Sequence, residues 1–310
     1  MTGGGVKPPP FSFPPPVRAC SPRFACRTYC RCPPPGTTIV PIAELNGARL
    51  YYDIRGSGPE TVVFAHGLLW SGEMFAEQVA ALEGNYRCVT FDFRGQGRSE
   101  VTSDGYDMDT LATDATALIE SLHLGPCHVA GLSMGGFVAM RLAARRPDLV
   151  RSLILLETSA EAEPEENIPR YRALNFVARW FGLGLVAGQV MPIMFGRKFL
   201  EDPNRQAERD RYRAALSANH RVGISRAVRG VIDRSAILPE LSLITAPTLV
   251  IVGDQDVATV PAKAERIRDA IRGAELVVIP GAGHSSTMEE PAAVTAAIRR
   301  FLANQESRAA

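Results

Sequence analysis

Pro126-Cys127-His128-Val129-Ala130-Gly131-Leu132-Ser133-Met134-Gly135 is the stretch on which the fold turns: a short apolar run leads straight into a serine set between two glycines. The run has the bounded, apolar pattern of a buried strand, and Phe137, Val138, Met140, Leu142 and Ala143 continue at helical spacing. Ser133 is therefore expected at a sharp strand-to-helix turn. Such a turn strains the serine backbone, while small residues at 131 and 135 let strand and helix approach closely enough for the hydroxyl to stand clear. The same turn aims the Met134 N–H at the space above the serine. Incidental glycine-rich turns also match G-x-S-x-G, so the rest of the chain has to decide.

A serine nucleophile needs a base to take its proton and an acid to orient that base. Both residue types stand downstream, each at the end of an apolar run. Residues 246–252 read as a buried strand ending in Gly253-Asp254-Gln255-Asp256, and 275–280 as another ending in Gly281-Ala282-Gly283-His284. Upstream, the strand-like 61–65 leads into His66-Gly67, and Asp92-Phe93-Arg94-Gly95-Gln96-Gly97-Arg98-Ser99 forms a glycine-rich turn.

In the chain order serine, acid, histidine and in these four signatures, residues 39–302 resemble the α/β-hydrolase superfamily. His66-Gly67 is similar to the family's oxyanion loop, and 92–99 to its D-x-R-G-x-G-x-S turn. The general layout resembles the lactonase and esterase branch of 3-oxoadipate enol-lactonase-like hydrolases. The resemblance implies an α/β fold: a mostly parallel central sheet flanked by helices, with an inserted helical cap. It implies Ser133 as nucleophile, His284 as base and Asp256, which fits the family's G-x-x-D pattern, as acid, with the N–H groups of Leu68 and Met134 as oxyanion donors. Asp254 is then a turn residue. Glu157, just after the apolar 153–156, is an alternative acid, because some family members place theirs there. His66 is expected to brace the oxyanion loop, and Asp92, Arg94 and Ser99 to stabilise their own turn. Nothing in their surroundings singles out His123, His128 or His220.

Haloalkane dehalogenases and many epoxide hydrolases of this fold carry an aspartate at the elbow; a serine there cannot form their alkyl-enzyme ester. The expected reaction is hydrolysis of a carboxylic ester or lactone through an acyl-enzyme. Carbon–carbon bond hydrolysis, thioester hydrolysis and cofactor-free perhydrolysis are alternatives within the fold, and a ligand-sensing receptor with little turnover is one from another class. No cofactor is expected.

With 310 residues, 46% of them hydrophobic, the chain can bury a large core as one α/β domain with an insertion. Of the net charge of +1, five cations (Lys7, Arg18, Arg23, Arg27 and Arg31) fall in residues 1–43 without any acid, leaving −4 for the remainder. That remainder has no basic patch for nucleic acid. Residues 1–36, with Gly3-Gly4-Gly5, proline triplets and Cys20, Cys26, Cys30 and Cys32, lack a periodic apolar face and are expected to be a disordered extension. Their cysteines lack the paired C-x-x-C spacing of zinc modules, so no metal site is expected. Cys88 and Cys127 fall in strands, where a free thiol behaves as a small hydrophobe. No apolar run matches a signal-peptide core or a membrane span, which points to the cytoplasm and to no membrane partner. The arginine-bearing, acid-free start is the one feature that fits organelle targeting. The expected partner is a small-molecule ester or lactone; oligomeric state leaves no mark on the sequence.

Residues 42–46 and 49–54 read as a hairpin around Asn46-Gly47. Parallel strands are expected at 61–65, 86–91, 127–131, 152–156, 248–253 and 275–279, with helices at 73–83, 108–123, 134–146, 260–272 and 291–303. The organisation expected is an extension (1–36), a first core part (37–159), a helical cap (160–241) and a second core part (242–310). Trp70 and the cap residues Trp180, Met191 and Phe195 are the expected pocket residues, although a helical apolar stripe most often packs a helix onto its support. Arg170, Arg172, Arg179 and Arg197 read as solvated helix faces, with a substrate carboxylate as the alternative.

Overall fold

The computed structural model of the chain describes residues 41–309. The expectations placed on residues 1–36, including the four cysteines, lie outside the described residues. Strands β1 (Ile42–Leu45) and β2 (Ala48–Arg55) form the expected hairpin. Asn46 and Gly47 turn it with φ of 47° and 73°, the left-handed pair that an Asn-Gly turn adopts readily.

From there β3 (Glu60–Ala65), α1 (Ala76–Leu82), β4 (Tyr86–Phe91), α2 (Met108–Ser121), β5 (Cys127–Leu132), α3 (Met134–Arg145) and β6 (Val150–Leu156) alternate. The alternation then gives way to five helices: α4 (Ile168–Phe181), α5 (Ala187–Met194), α6 (Arg197–Glu201), α7 (Gln206–Ala218) and α8 (Arg221–Ile232). It resumes with β7 (Thr248–Gly253), α9 (Pro261–Ala270), β8 (Glu275–Ile279), α10 (Ser286–Glu289) and α11 (Pro291–Ala309). The eight strands form one sheet in the order β1-β2-β4-β3-β5-β6-β7-β8, parallel from β4 onward.

Successive side chains of a strand point to opposite faces, so a central strand of such a sheet must be apolar throughout. Val63, Val129, Leu153, Leu155 and Val250 pack under α2, α3 and α9 with Leu118, Phe137, Leu142 and Ile267. Val62, Phe64, Ala130, Ile154 and Ile251 pack on the other face under α1 and α11 with Leu82, Val294, Ile298 and Phe301. Each Val, Leu, Ile or Phe among them contributes about 1.5–3 kcal/mol of burial energy. This two-sided support fixes the carboxyl ends of β3, β5, β7 and β8, and the segments bearing Leu68, Ser133, Asp256 and His284 leave from those ends. Among the described residues no helix is long and apolar enough to cross a membrane.

Candidate active site

Ser133 lies between β5 and α3 with φ 52° and ψ −111°, a conformation costing a non-glycine residue about 1–3 kcal/mol. Its N–H donates to Leu156 O at 2.9 Å, Thr158 Oγ1 donates to its carbonyl at 2.9 Å, and Phe137 N–H reaches the same carbonyl at 3.0 Å. The flanking glycines are a steric requirement. A Cβ on Gly135 would sit 1.9 Å from Ala65 O, and one on Gly131 would sit 2.3 Å from Gly135 O. Both obstacles are backbone atoms that cannot step aside.

The structure brings Ser133, His284 and Asp256 together. Ser133 Oγ is 2.8 Å from His284 Nε2, and His284 Nδ1 is 2.9 Å from Asp256 Oδ2. Asp256 is buried, which by itself raises a carboxyl pKa; facing His284 and the Thr259 donors holds this one below its ordinary value. Its Oδ1 accepts the Ala258 and Thr259 N–H groups at 2.8 and 3.0 Å, and its Oδ2 accepts the Thr259 hydroxyl at 2.6 Å. An ionised carboxylate only accepts, so the His284 proton belongs on Nδ1 and Nε2 is left to accept from Ser133. Thr259, missed in the sequence reading, had a local signal: it stands three residues after Asp256, within reach of an Asx-type turn.

Glu157 occupies a different place from the one its position after β6 offered. Its carboxyl is fully buried, and burial pushes its pKa well above the ordinary value. The Ser286 side chain and the Gly253 backbone lie beside it without completing well-formed hydrogen bonds. The His284 Nδ1 turns to Asp256, and the Glu157 carboxyl makes no hydrogen bond to the imidazole. Asp254 is the expected turn residue, accepting Gly281 N–H at 2.7 Å and so tying the end of β7 to the end of β8.

The Met134 N–H, first in α3, has no carbonyl partner within the helix; neither it nor the Leu68 N–H meets an acceptor among the described residues. Gln96 steadies that corner, accepting Leu69 N–H at 2.9 Å while its amide nitrogen lies 3.8 Å from Met134 Sδ. His66 braces the same loop. Its Nε2 accepts Phe93 N–H at 2.9 Å, so Nδ1 carries the proton donated to Gly67 O at 2.7 Å. Asp92 and Ser99 do stabilise their own turn, through Arg98 N–H at 2.8 Å on Asp92 Oδ2 and the Ser99 hydroxyl at 2.5 Å on Asp92 O. Arg94 departs from that expectation: its guanidinium reaches helix α2, pairing with both oxygens of Asp114 at 2.7 and 2.6 Å.

A cavity of about 150 Å³ opens over Ser133 and His284, walled by Leu68, Leu69 and Trp70 on one side and by the helices between β6 and β7 on the other. Trp70 lines it as expected. Trp180, Met191 and Phe195 do not. The Trp180 side chain is turned outward, 60% exposed, with Arg179 over its ring at 4.7 Å. Phe195 faces the support, stacking on Phe199 and Tyr212 with centroids 4.7 and 5.4 Å away, and Met191 is buried in the same cluster. The walls come instead from Leu174, Ala178, Val186, Val190, Ile193 and Met194. An amphipathic stripe does not tell which of its members face a partner and which face a void. Arg170, Arg172, Arg179 and Arg197 stay off the cavity; the charged groups on its wall are Glu163 and Arg234. Among the described residues no cluster of His, Cys, Asp and Glu could hold a metal ion.

Behind the histidine loop, the Glu289 carboxylate gathers three N–H groups: Gly196 at 2.7 Å, Gly283 at 3.0 Å and Ser285 at 3.1 Å. Burial pushes this carboxyl up to about 6 against the pull of those donors. A raised carboxyl pKa means that the folded chain binds the proton more tightly than the unfolded one, so stability falls as pH rises from about 4.5 to 6. Urea unfolding of wild type should lose about 2 kcal/mol between about pH 3.5 and about pH 7 relative to Glu289→Gln. Parallel slopes for the two proteins would refute the assignment.

Comparison with known proteins places the fold. The family described as alpha/beta hydrolase fold matches residues 60–291. A Mycobacterium tuberculosis protein named "Putative non-heme bromoperoxidase BpoC" is 32% identical over 266 residues, covering 82% of this chain and 98% of that protein. The crystal structure of the enol-lactonase from Burkholderia xenovorans LB400 superposes with a TM-score of 0.78 at 31% identity, covering 85% of this chain and 100% of that one. A thermophilic esterase from Thermogutta terrifontis, solved with malate bound, gives a TM-score of 0.78 at 30% identity over 83% of this chain and 94% of its own. With the serine elbow at the end of β5 and the family match spanning most of the chain, the protein belongs to the alpha/beta hydrolase family.

Proposed function

We propose that the protein is a serine hydrolase of carboxylic esters or lactones, working through Ser133, His284 and Asp256 and an acyl-enzyme. The observation that carries the reading is the unbroken relay from Ser133 Oγ to His284 at 2.8 Å and from His284 to Asp256 at 2.9 Å. Ser133 attacks the carbonyl carbon as His284 takes its proton, and the imidazolium then passes that proton to the departing alkoxide. Asp256 balances the imidazolium charge. The N–H groups of Leu68 and Met134 receive the tetrahedral oxyanion, each such donor being worth about 3 kcal/mol at the transition state. Water, deprotonated by His284, releases the acid. Helices α4–α8 act as a cap over the acyl pocket. The esterase and enol-lactonase names among the related structures support this substrate class.

A serine-directed fluorophosphonate should label Ser133, and p-nitrophenyl esters and a lactone panel should turn over. Absence of both would remove the reading. The bromoperoxidase name of one relative favours a second outcome, in which hydrogen peroxide replaces water at the acyl-enzyme; peracid release assayed in the same reactions distinguishes it.

A further inference from the structure

Around the cavity the lining is apolar apart from Ser133, His284, Thr259, Asn175 and one charged pole. There Glu163 and Arg234 form an ion pair at 2.8 Å, with side chains 9% and 2% exposed. Arg234 lies over the Phe137 ring at 4.3 Å, and Phe137 stands one helical turn beyond Ser133, so the pair belongs to the wall of the reaction chamber. Tyr171 joins the pole, its hydroxyl pKa raised by burial and then by the Glu163 charge.

Both partners are already engaged by the protein, Arg234 Nη2 alone making no hydrogen bond among the described residues. Glu163 Oε1 accepts Asn167 Nδ2 at 3.0 Å while Oε2 takes Arg234; Arg234 also donates to Glu161 O at 3.1 Å and Val231 O at 2.8 Å. Among the described residues the only other charged or readily titrated lining group is His284, whose far nitrogen is committed to Asp256.

We infer that this site selects uncharged, apolar acyl or lactone substrates and rejects those bearing a carboxylate, the Glu163–Arg234 pair being its specificity determinant. The inference rests on the serine hydrolase reading above. A carboxylate entering the cavity finds no unpaired cation. To engage Arg234 it must either displace Glu163 or crowd beside it at Nη2, and both put two carboxylates against one largely buried guanidinium. Asp256, ionised behind His284, adds repulsion. A neutral chain displaces nothing and buries its apolar surface on Leu174, Val186 and Met194. Net neutrality of the wall thus acts as selection against anions.

The test compares p-nitrophenyl hexanoate with mono-p-nitrophenyl adipate at pH 7.5, two six-carbon acyl chains that differ in a terminal carboxylate. Wild type should favour the hexanoate in kcat/KM by at least about 100-fold. Glu163→Gln, which leaves Arg234 an uncompensated cation, should narrow that preference at least about tenfold, because each protein serves as its own reference for folding and for the nucleophile. Equal efficiency of wild type on both esters, with Ser133 labelled, overturns the inference and leaves the serine mechanism standing. A wild-type preference that Glu163→Gln leaves unchanged overturns the assignment to the pair. Absence of turnover on both esters, with no labelling of Ser133, overturns the mechanism and this inference together. If Glu163→Gln does not accumulate as folded protein, the wild-type ratio decides.

Discussion

Ser133→Ala should lower kcat/KM on p-nitrophenyl hexanoate by about a millionfold and abolish labelling by a fluorophosphonate, while the variant unfolds at the wild-type temperature to within a few degrees. The size follows from what is removed. With no hydroxyl at 2.8 Å from His284 Nε2 there is no acyl-enzyme, and only the two N–H donors and the cavity remain to act on a bound ester. Their residual contribution is water attack at about 10³- to 10⁴-fold above the uncatalysed rate. Stability is spared because alanine keeps the Cβ and the backbone bonds to Leu156 and Thr158. Full activity in Ser133→Ala would end the mechanism; partial labelling would place the nucleophile elsewhere.

Asp256→Asn should cost about 10⁴-fold in kcat, with Glu157→Gln within about tenfold of wild type. Asp256 gathers two N–H groups and the Thr259 hydroxyl besides the imidazole. An asparagine has one oxygen for those four donors, and its NH2 turned toward His284 would force the Nδ1 proton onto Nε2, where it blocks acceptance from Ser133. Glu157 answers the opposite way. Its carboxyl makes no hydrogen bond to His284 or Ser133, so a glutamine of the same shape removes nothing from the relay. A large loss confined to Glu157→Gln would transfer the acid's role to it. Steady-state kinetics at pH 7.5 on the same ester separates the outcomes.

The sheet was legible because its central parallel strands are buried on both faces, and residues such as 248–253 announce that without help from their neighbours. The elbow was legible for a local reason too, since Gly131 and Gly135 are demanded by backbone atoms within the same strand–helix unit or the adjoining strand. What stayed hidden is non-local. Whether Trp180 or Met194 faces the cavity depends on how α4 and α5 roll on the sheet domain, a rotation that helical periodicity leaves free. Arg94 was read within its own turn because its partner, Asp114, lies twenty residues away on α2. Glu163 and Arg234 are separated by 71 positions, and neither carries a motif.

The left-handed backbone at Ser133 sets activity and durability against each other at a single residue. Ser133→Gly, equally inert as a nucleophile, would shed the steric cost at φ 52° and ψ −111°, so the elbow should be more robust without its function than with it. Selection for persistence alone would favour glycine at that position.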